Sequence, residues 1–199
     1  MRPVTIAGLF VALTHAGPAI AQADPGRNGF SGFHAGPEAG LVEHHFYIAE
    51  TGPGGSQATG RYYRAWAPGA GLFVGYDVPV GGRVVIGAEA SLSVGGGAPE
   101  ARFADGRSYV ADPRYGYKVT GRAGWRFGED TLLYGTLGYG GHHYRVEAVG
   151  VGNAEPSGHS FTIGAGVEHR LSRTIGVRLD FKHLDNQMSQ LLVGLPVRF

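Results

Sequence analysis

Residues 191–199 read LLVGLPVRF, with a large apolar residue at every second position and an aromatic residue at the end. One face of this stretch carries Leu191, Val193, Leu195, Val197 and Phe199, and the other carries Leu192, Gly194, Pro196 and Arg198. A period of two is the side-chain period of a β-strand. The stretch therefore predicts a strand with one oily face and one small or polar face.

The same alternation recurs seven more times along the chain. The stretches are 32–42, 69–78, 83–94, 114–127, 131–139, 160–171 and 174–183. No window keeps a helical period, so the sequence predicts eight strands and almost no helix after the first two dozen residues.

The face opposite the oily rows decides between two kinds of β protein. Glycine is abundant, with 36 in 199 residues, and it falls repeatedly on that second face, as at Gly87, Gly124 and Gly164. A solvated face has no need to be thin, whereas the inside of a narrow closed barrel does, because side chains from all strands converge there. The oily rows are therefore predicted to face lipid.

The connections between the predicted strands alternate in length. Residues 79–82, 128–131 and 172–173 form tight turns, and the intervening connections are longer. Long loops on one side and tight turns on the other are typical of a transmembrane barrel with extracellular loops and periplasmic turns. We expect an all-β, eight-stranded antiparallel up-and-down transmembrane β-barrel over residues 30–199, because an even number of strands lets the last pair with the first.

The first 23 residues are predicted to be a cleaved signal peptide. Arg2 forms a short basic region, an interrupted apolar run follows, and small residues at Ala21 and Ala23 suit cleavage after Ala23 or, alternatively, after Ala21. The run is too short and broken for a membrane anchor. Residues 24–29 are then a short periplasmic lead. Cleavage removes one Arg and no acid, so 17 Lys and Arg become 16, against 16 Asp and Glu. This balance gives no indication of a nucleic-acid partner.

The chain resembles the small eight-stranded outer-membrane barrels of Gram-negative bacteria, the opacity-type and outer-membrane-protein-A-like "porin family" of surface proteins. The resemblance covers residues 30–199 and rests on GFHAGPEAG, IGAEASL, GRAGWRF, LLYGTLGYG, TIGAGVEHRL, IGVRLDF and VGLPVRF. It implies location in the outer membrane and contact with lipid and lipopolysaccharide. It also implies that Phe199 is the recognition signal for the barrel-assembly machinery. We expect a monomer.

Charged residues punctuate the face that is predicted to line the lumen. We expect an ion-pair network of Glu38, Glu89, Lys118, Arg122, Glu168, Arg178, Asp180 and Arg198. Arg126, Arg170 and Lys182 share the same face. Glu89 should pair with Arg122 on the next strand, and Glu168 with Arg178, since buried charges are tolerated when paired. The interpretation favoured here is a plug, and the alternative is a polar path for ions.

Two further kinds of site are weaker in the sequence. His44, His45, His142, His143 and His159 collect near the outer ends of strands. A zinc or copper site is conceivable there, but neighbouring residues of a strand point to opposite faces, so loop and interface histidines are the simpler interpretation. No metal or cofactor is expected.

A lipid-A deacylase would need a nucleophile beside a histidine on a late strand. Ser189 lies too far along from His183 for this, and His169 with Ser172 falls at the periplasmic end. We therefore predict no enzyme.

The sequence predicts an exported surface protein with a structural, envelope-integrity role and surface contacts through its long loops. The segments 61–66, 102–109 and 142–147 combine Arg and Tyr, which suits host or lipopolysaccharide contacts as well as an aromatic belt. A narrow porin-like channel is the second possibility and a lipid-A-modifying barrel the third. Pro37 and Pro196 lie on the two strands that close the barrel, so this seam is predicted to be the weakest ladder.

Overall fold

We describe the chain from a computed structural model, which describes residues 29–50, 59–102, 108–149, 152–185 and 188–199. The predicted signal peptide and residues 24–28 of the lead lie outside these ranges. The described residues form eleven strands: β1 (Gly32–Glu50), β2 (Thr59–Val80), β3 (Val84–Gly95), β4 (Glu100–Arg102), β5 (Ser108–Phe127), β6 (Thr131–Val149), β7 (Gly152–Ala154), β8 (Ser157–Arg170), β9 (Gly176–Leu184), β10 (Met188–Gly194) and β11 (Val197–Arg198).

Eight of these strands form a closed antiparallel ring in the order β1, β2, β3, β5, β6, β8, β9, β10. Each of these eight barrel strands is called a stave below. β10 pairs with β1, from Glu38 opposite Gly194 to His44 opposite Met188, and closes the ring. β11 extends the last stave after a break at Leu195 and Pro196. The prediction of an eight-stranded up-and-down barrel is confirmed, and its eighth strand is the pair β10 and β11.

The oily rows lie on the outside. Of the C-terminal row, Leu191, Val193, Leu195 and Phe199 are exposed, Phe199 by 74 %, and the matching apolar residues of the other seven stretches also point outward. Arg178, Glu168 and Lys118 point inward and are buried. The parity of each predicted strand is therefore correct. Among the described residues, no helix is long and apolar enough to cross a membrane.

The two ends of the barrel differ in shape. Tight turns join β2 to β3, β5 to β6 and β8 to β9 at one end. At the other end, β1 and β2 remain paired as far as Glu50 opposite Thr59, and β5 and β6 as far as Ser108 opposite Val149. The tight turns mark the periplasmic side.

The extracellular parts of both strand pairs were expected to be loops over much of this length. Residues 61–66 and 142–147 instead belong to β2 and β6. Tyr, Phe and Val are favoured in paired strands, and these segments face each other across their hairpins, as Tyr63 faces Phe46. The β1–β2 hairpin and the paired extracellular ends of β5 and β6, whose connecting turn is periplasmic, therefore extend beyond the rest of the rim, which ends lower at β9 and β10. These two strand pairs are called the tall hairpins below.

Candidate functional site

The lumen is filled in layers, and the lowest layer is apolar. Phe30, Val85, Leu132 and Tyr134 form a buried cluster next to the periplasmic turns. Phe30 precedes β1, and the guanidinium carbon of Arg198 lies 5.1 Å from the centre of its ring. This cluster covers the periplasmic end of the lumen.

A network of ion pairs lies above the apolar layer. Arg198 contacts Glu168 at 2.7 Å and Asp77 at 3.0 Å. Arg122 donates a 3.1 Å hydrogen bond to Glu168 and lies 3.4 Å from Asp77. Two arginines therefore share two carboxylates, so that each charge has two partners.

The upper part of the network is centred on Arg178. Its guanidinium contacts Glu38 at 2.7 Å, Glu89 at 2.5 Å and Asp180 at 2.8 Å. Lys182 contacts Glu89 at 3.2 Å. The guanidinium carbon lies 3.4 Å from the centre of the Phe73 ring. One arginine thus holds carboxylates from three separate strands.

His34 joins the two parts of the network. Its ring nitrogens lie 3.4 Å from Asp77 and 3.5 Å from Glu89. Arg122 also reaches Glu89, at 3.8 Å. The network therefore runs continuously from the periplasmic half of the lumen to its centre.

Seven of the eight residues expected in the network are brought together: Glu38, Glu89, Arg122, Glu168, Arg178, Asp180 and Arg198. Lys118 is the exception. It is buried, but its ammonium nitrogen has no hydrogen-bond partner and no carboxylate within 4.0 Å among the described residues. Buried water ordinarily binds such groups.

One of the two expected pairs is present, since Arg122 lies 3.8 Å from Glu89, and the other, Glu168 with Arg178, is not. Glu168 and Arg178 are opposite each other in the β8–β9 register, yet Arg178 contacts Glu38, Glu89 and Asp180, and Glu168 contacts Arg122 and Arg198. In a narrow barrel a long side chain crosses the lumen as easily as it reaches its neighbour. Register alone therefore does not assign the pairs.

His34, Asp77 and Tyr134 belong to the network but were not predicted from the sequence. Both His34 and Asp77 alternate with outward residues and lie on the glycine-rich face, so parity contained the signal that would have found them. Tyr134 donates a 2.7 Å hydrogen bond to Asp180, and its ring lies 4.2 Å from the Arg122 guanidinium carbon. The prediction for this strand rested on its outward apolar row, which begins at Leu133, and not on the inward residues that alternate with it.

A second apolar cluster lies above the network on one side of the lumen. Val42, Leu184, Met188 and Leu192 form a buried cluster from β1, β9 and β10. Above it, the rings of His44 and His142 lie 4.5 Å apart, and His44 Nδ1 is 2.9 Å from the hydroxyl of Tyr144. Tyr144 therefore faces the inside of the mouth and does not belong to an outer aromatic belt.

The other histidines lie apart from this pair. His45 stacks on His183, His143 is hydrogen-bonded to Ser157, and His159 is hydrogen-bonded to Tyr117. No group of three His, Cys, Asp or Glu residues able to hold a metal ion is found in the described part of the chain.

Ser189 and His183 are neighbours, contrary to expectation. They lie directly opposite each other on β10 and β9, and Ser189 Oγ is 3.0 Å from His183 Nδ1. The prediction that Ser189 lies too far away is wrong, because the hairpin places the two strands side by side and pairs Ser189 with His183. Glu43 faces Ser189 from β1, but no described carboxylate lies within 4.0 Å of the His183 ring nitrogens.

Comparison with known proteins agrees with this architecture. The model of the family described as "Outer membrane protein beta-barrel domain" matches residues 9–199. The chain belongs to this family, and it is an outer-membrane protein. No curated protein matches the sequence significantly.

Solved structures resemble the chain in fold. Neisserial surface protein A is 10 % identical, with 85 % of this chain and 98 % of that chain covered and a TM-score of 0.51. Ail, the attachment invasion locus protein of Yersinia pestis, is 15 % identical in its complex with the heparin analogue sucrose octasulfate, over 84 % and 99 % of the two chains, with a TM-score of 0.49. At such identities the likeness concerns the fold alone.

Proposed function

We propose that this protein is a non-conducting barrel that strengthens the outer membrane and contacts surface ligands through its two tall hairpins. The observation that carries the proposal is the layered filling of the lumen, with an apolar cluster on each side of the ion-pair network. Ions cross a membrane through water, and the interior of an eight-stranded barrel is just wide enough for side chains to fill. A closed lumen favours a structural role over transport.

The extracellular hairpins support the surface role. Tyr47, Tyr62 and Trp66 are about half exposed on the outer face of the β1–β2 hairpin. Exposed aromatic side chains are enriched where proteins bind partners. The eight staves close without a second copy of the chain, so the function is assigned to the monomer, with lipid and lipopolysaccharide around it.

Conductance in a planar lipid bilayer tests the closed lumen. The purified, refolded protein should give no stepwise current under an applied voltage, while a general porin measured in the same bilayer gives open-channel steps. Reproducible steps that depend on protein concentration would overturn the proposal in favour of a narrow channel.

A hairpin variant tests the surface role separately. Residues 46–63 are replaced by a two-residue Asn-Gly turn, which leaves the pairing below His45 in place. In cells that lack the protein, this variant should restore resistance to detergent as well as the wild type does, but should lose binding to surface ligands. Loss of both properties would show that the hairpin is part of the structural role.

The contact between Ser189 and His183 favours a second candidate function, the hydrolysis of acyl esters at the outer interface. The serine oxygen would attack the ester carbonyl and pass its proton to His183 Nδ1, the alcohol would leave, and water would then release the fatty acid from the acyl-serine. Without a carboxylate on the imidazole, the expected rate is low.

Mass spectrometry of lipid A tests the second candidate. Cells expressing the wild type should lose an acyl chain that cells expressing Ser189→Ala keep. Ser160→Ala, on β8, is the matched control and should behave as the wild type. Identical lipid A in all three strains would exclude the activity.

A further inference from the structure

A cavity of about 460 Å³ lies in the extracellular mouth of the barrel, between the two tall hairpins. Cavities of this size accommodate small organic molecules. Four strands contribute wall residues, and the list is His44, His45 and Phe46 from β1, Tyr109 and Ala111 from β5, Tyr144 and Val146 from β6, and Ser157 and Gly158 from β8.

The described walls are apolar and carry no formal charge. None of the described lining residues is Asp, Glu, Lys or Arg. Pro99 and Pro156 add flat apolar faces to the rings of Phe46 and Tyr144. A charged ligand would lose its hydration without gaining a counter-ion, whereas a flat aromatic ring finds surfaces on which it can stack.

The hydrogen bonds of His44 fix which atoms of His44 and Tyr144 are free at the inner end of the cavity. His44 Nε2 lies 3.4 Å from the carbonyl oxygen of Gly95, and a carbonyl can only accept. Nε2 therefore carries a proton. His44 is fully buried with no described carboxylate within 4.0 Å of it, so nothing compensates a charge on the ring, and the neutral form has a bare Nδ1.

The hydroxyl of Tyr144 must then donate to His44. The distance from Tyr144 Oη to His44 Nδ1 is 2.9 Å, and the bare nitrogen accepts the only proton that the hydroxyl has. The oxygen of Tyr144 keeps its lone pairs. The oxygen of Tyr144 is therefore a free acceptor at the inner end of the cavity.

We propose that this cavity binds a small, neutral, planar aromatic molecule that carries one N–H or O–H donor, which bonds to the oxygen of Tyr144. The ligand class deepens the surface-contact role proposed above and rests on it. The ligand is a free small molecule, since the cavity lies recessed between the hairpins.

Indole and benzofuran are matched probes, because they have nearly the same shape and differ in the N–H donor. The protein is placed in lipid nanodiscs with 13C-labelled tyrosine rings, and saturable shifts of the Tyr144 signal report binding at the cavity. A hydrogen bond of ordinary net strength predicts that indole binds roughly five-fold more tightly than benzofuran. Indole-3-acetate, which adds a negative charge, should bind more weakly than indole.

Two variants separate the polar and apolar parts of the site. In Tyr144→Phe, followed through the Tyr109 signal, the preference for indole should disappear while the affinity for benzofuran stays within about two-fold, since the ring remains. Val146→Trp should fill the cavity and abolish saturable binding. Val94→Trp, which places the same ring on the lipid-facing side of β3, should bind as the wild type.

The outcomes also separate this inference from the proposed function. Absence of saturable shifts, equal affinities of the two probes, or a preference that survives in Tyr144→Phe would overturn the inference. A shift of electrophoretic mobility on heating shows for each variant that the barrel is folded. Bilayer conductance is measured without the probe. A channel can therefore be detected whether or not the cavity binds indole, and binding of indole can be detected whether or not the barrel conducts.

Discussion

Arg178 and Glu89 face each other across the full width of the barrel. Their strands, β9 and β3, are four staves apart in either direction around the ring of eight. The guanidinium makes two contacts with the carboxylate, at 2.5 and 3.2 Å. A bidentate arginine–carboxylate pair is strong and directional, and this one ties opposite walls of the lumen together.

Removal of Arg178 should therefore destabilise the barrel. Arg178→Met leaves Glu38, Glu89 and Asp180 without their shared partner, and breaking a buried pair in this way costs about 3–5 kcal/mol. Guanidinium unfolding of the protein in lipid vesicles measures the change in the free energy of unfolding.

A surface arginine provides the control for this loss. Arg102 pairs with Glu100 on β4, and its side chain is 80 % exposed. Arg102→Met should change the free energy of unfolding by less than about 0.5 kcal/mol. If Arg178→Met proved equally mild, the network would have no structural role.

The glycines on the inward face of the barrel give a second prediction. A Cβ atom at Gly138 would lie 2.1 Å from the carbonyl oxygen of Val119 and 2.6 Å from the Cα of Thr120, both of them backbone atoms. Gly138→Ala should therefore push two staves apart and cost at least about 1–3 kcal/mol in the free energy of unfolding.

Gly135, on the same strand, is the matched control. It faces outward, and the nearest atom to its Cβ would be the carbonyl oxygen of Gly164 at 3.8 Å. Gly135→Ala should refold with the wild-type yield, and Gly138→Ala with a lower yield, as measured by the mobility shift on heating. Equal yields would show that the lumen has more room than its glycines indicate.

The sequence predicts which side chains face the lumen and which face the lipid, but it does not predict the contacts between side chains inside the lumen. Alternation places Arg178 inside and Leu179 outside, because a strand has only two faces. It does not say which carboxylate Arg178 reaches, since inside a narrow cylinder residues from all eight staves compete for the same space. Arg178 and Glu89 are 89 residues apart in the chain, and nothing local in the sequence joins them.

The extracellular end was harder to predict for a different reason. Outside the membrane an apolar outward face is no longer required. The alternation of apolar and polar residues therefore weakens where β2 and β6 extend beyond the membrane. The pair His183 and Ser189 shows the related difficulty of distance along the chain, because a tight hairpin places residues six apart directly opposite each other. Turn position, more than spacing, determines such contacts.

The closing seam gives a third prediction. β1 meets β10 over seven residue pairs and β11 over two, with a break at Leu195 and Pro196. β3 and β5 pair without interruption over eleven. Hydrogen exchange in bilayers should be faster for amides of residues 34–38 and 193–198 than for those of residues 86–92 and 117–123. Equal protection of the two regions would contradict a weak seam.

A single substitution should strengthen the seam. The amide of Leu195 donates to the carbonyl of Pro37 at 3.0 Å. In an antiparallel ladder a residue directs its N–H and C=O to the same neighbour, so the nitrogen of Pro37 faces the same stave but has no hydrogen to donate. Pro37→Ala should slow exchange at neighbouring seam amides, whereas Pro79→Ala, at the β2–β3 turn, should leave the seam unchanged.

The last residue should matter for assembly more than for stability. The backbone of Phe199 is held by a 3.0 Å hydrogen bond from its amide to the carbonyl of Phe33, while its ring is 74 % exposed. Phe199→Ala therefore removes a ring that has lipid around it and keeps the ladder. We expect the free energy of spontaneous refolding into detergent to be unchanged within about 1 kcal/mol, and the amount of protein in the outer membrane of cells to fall.

Phe127 is a fitting control, since it is another exposed aromatic at the periplasmic end of a strand. Phe127→Ala should leave the cellular amount near the wild-type level. An equal fall in both variants would assign the effect to the aromatic girdle, and no fall in either would remove the role proposed for the C-terminal aromatic in assembly.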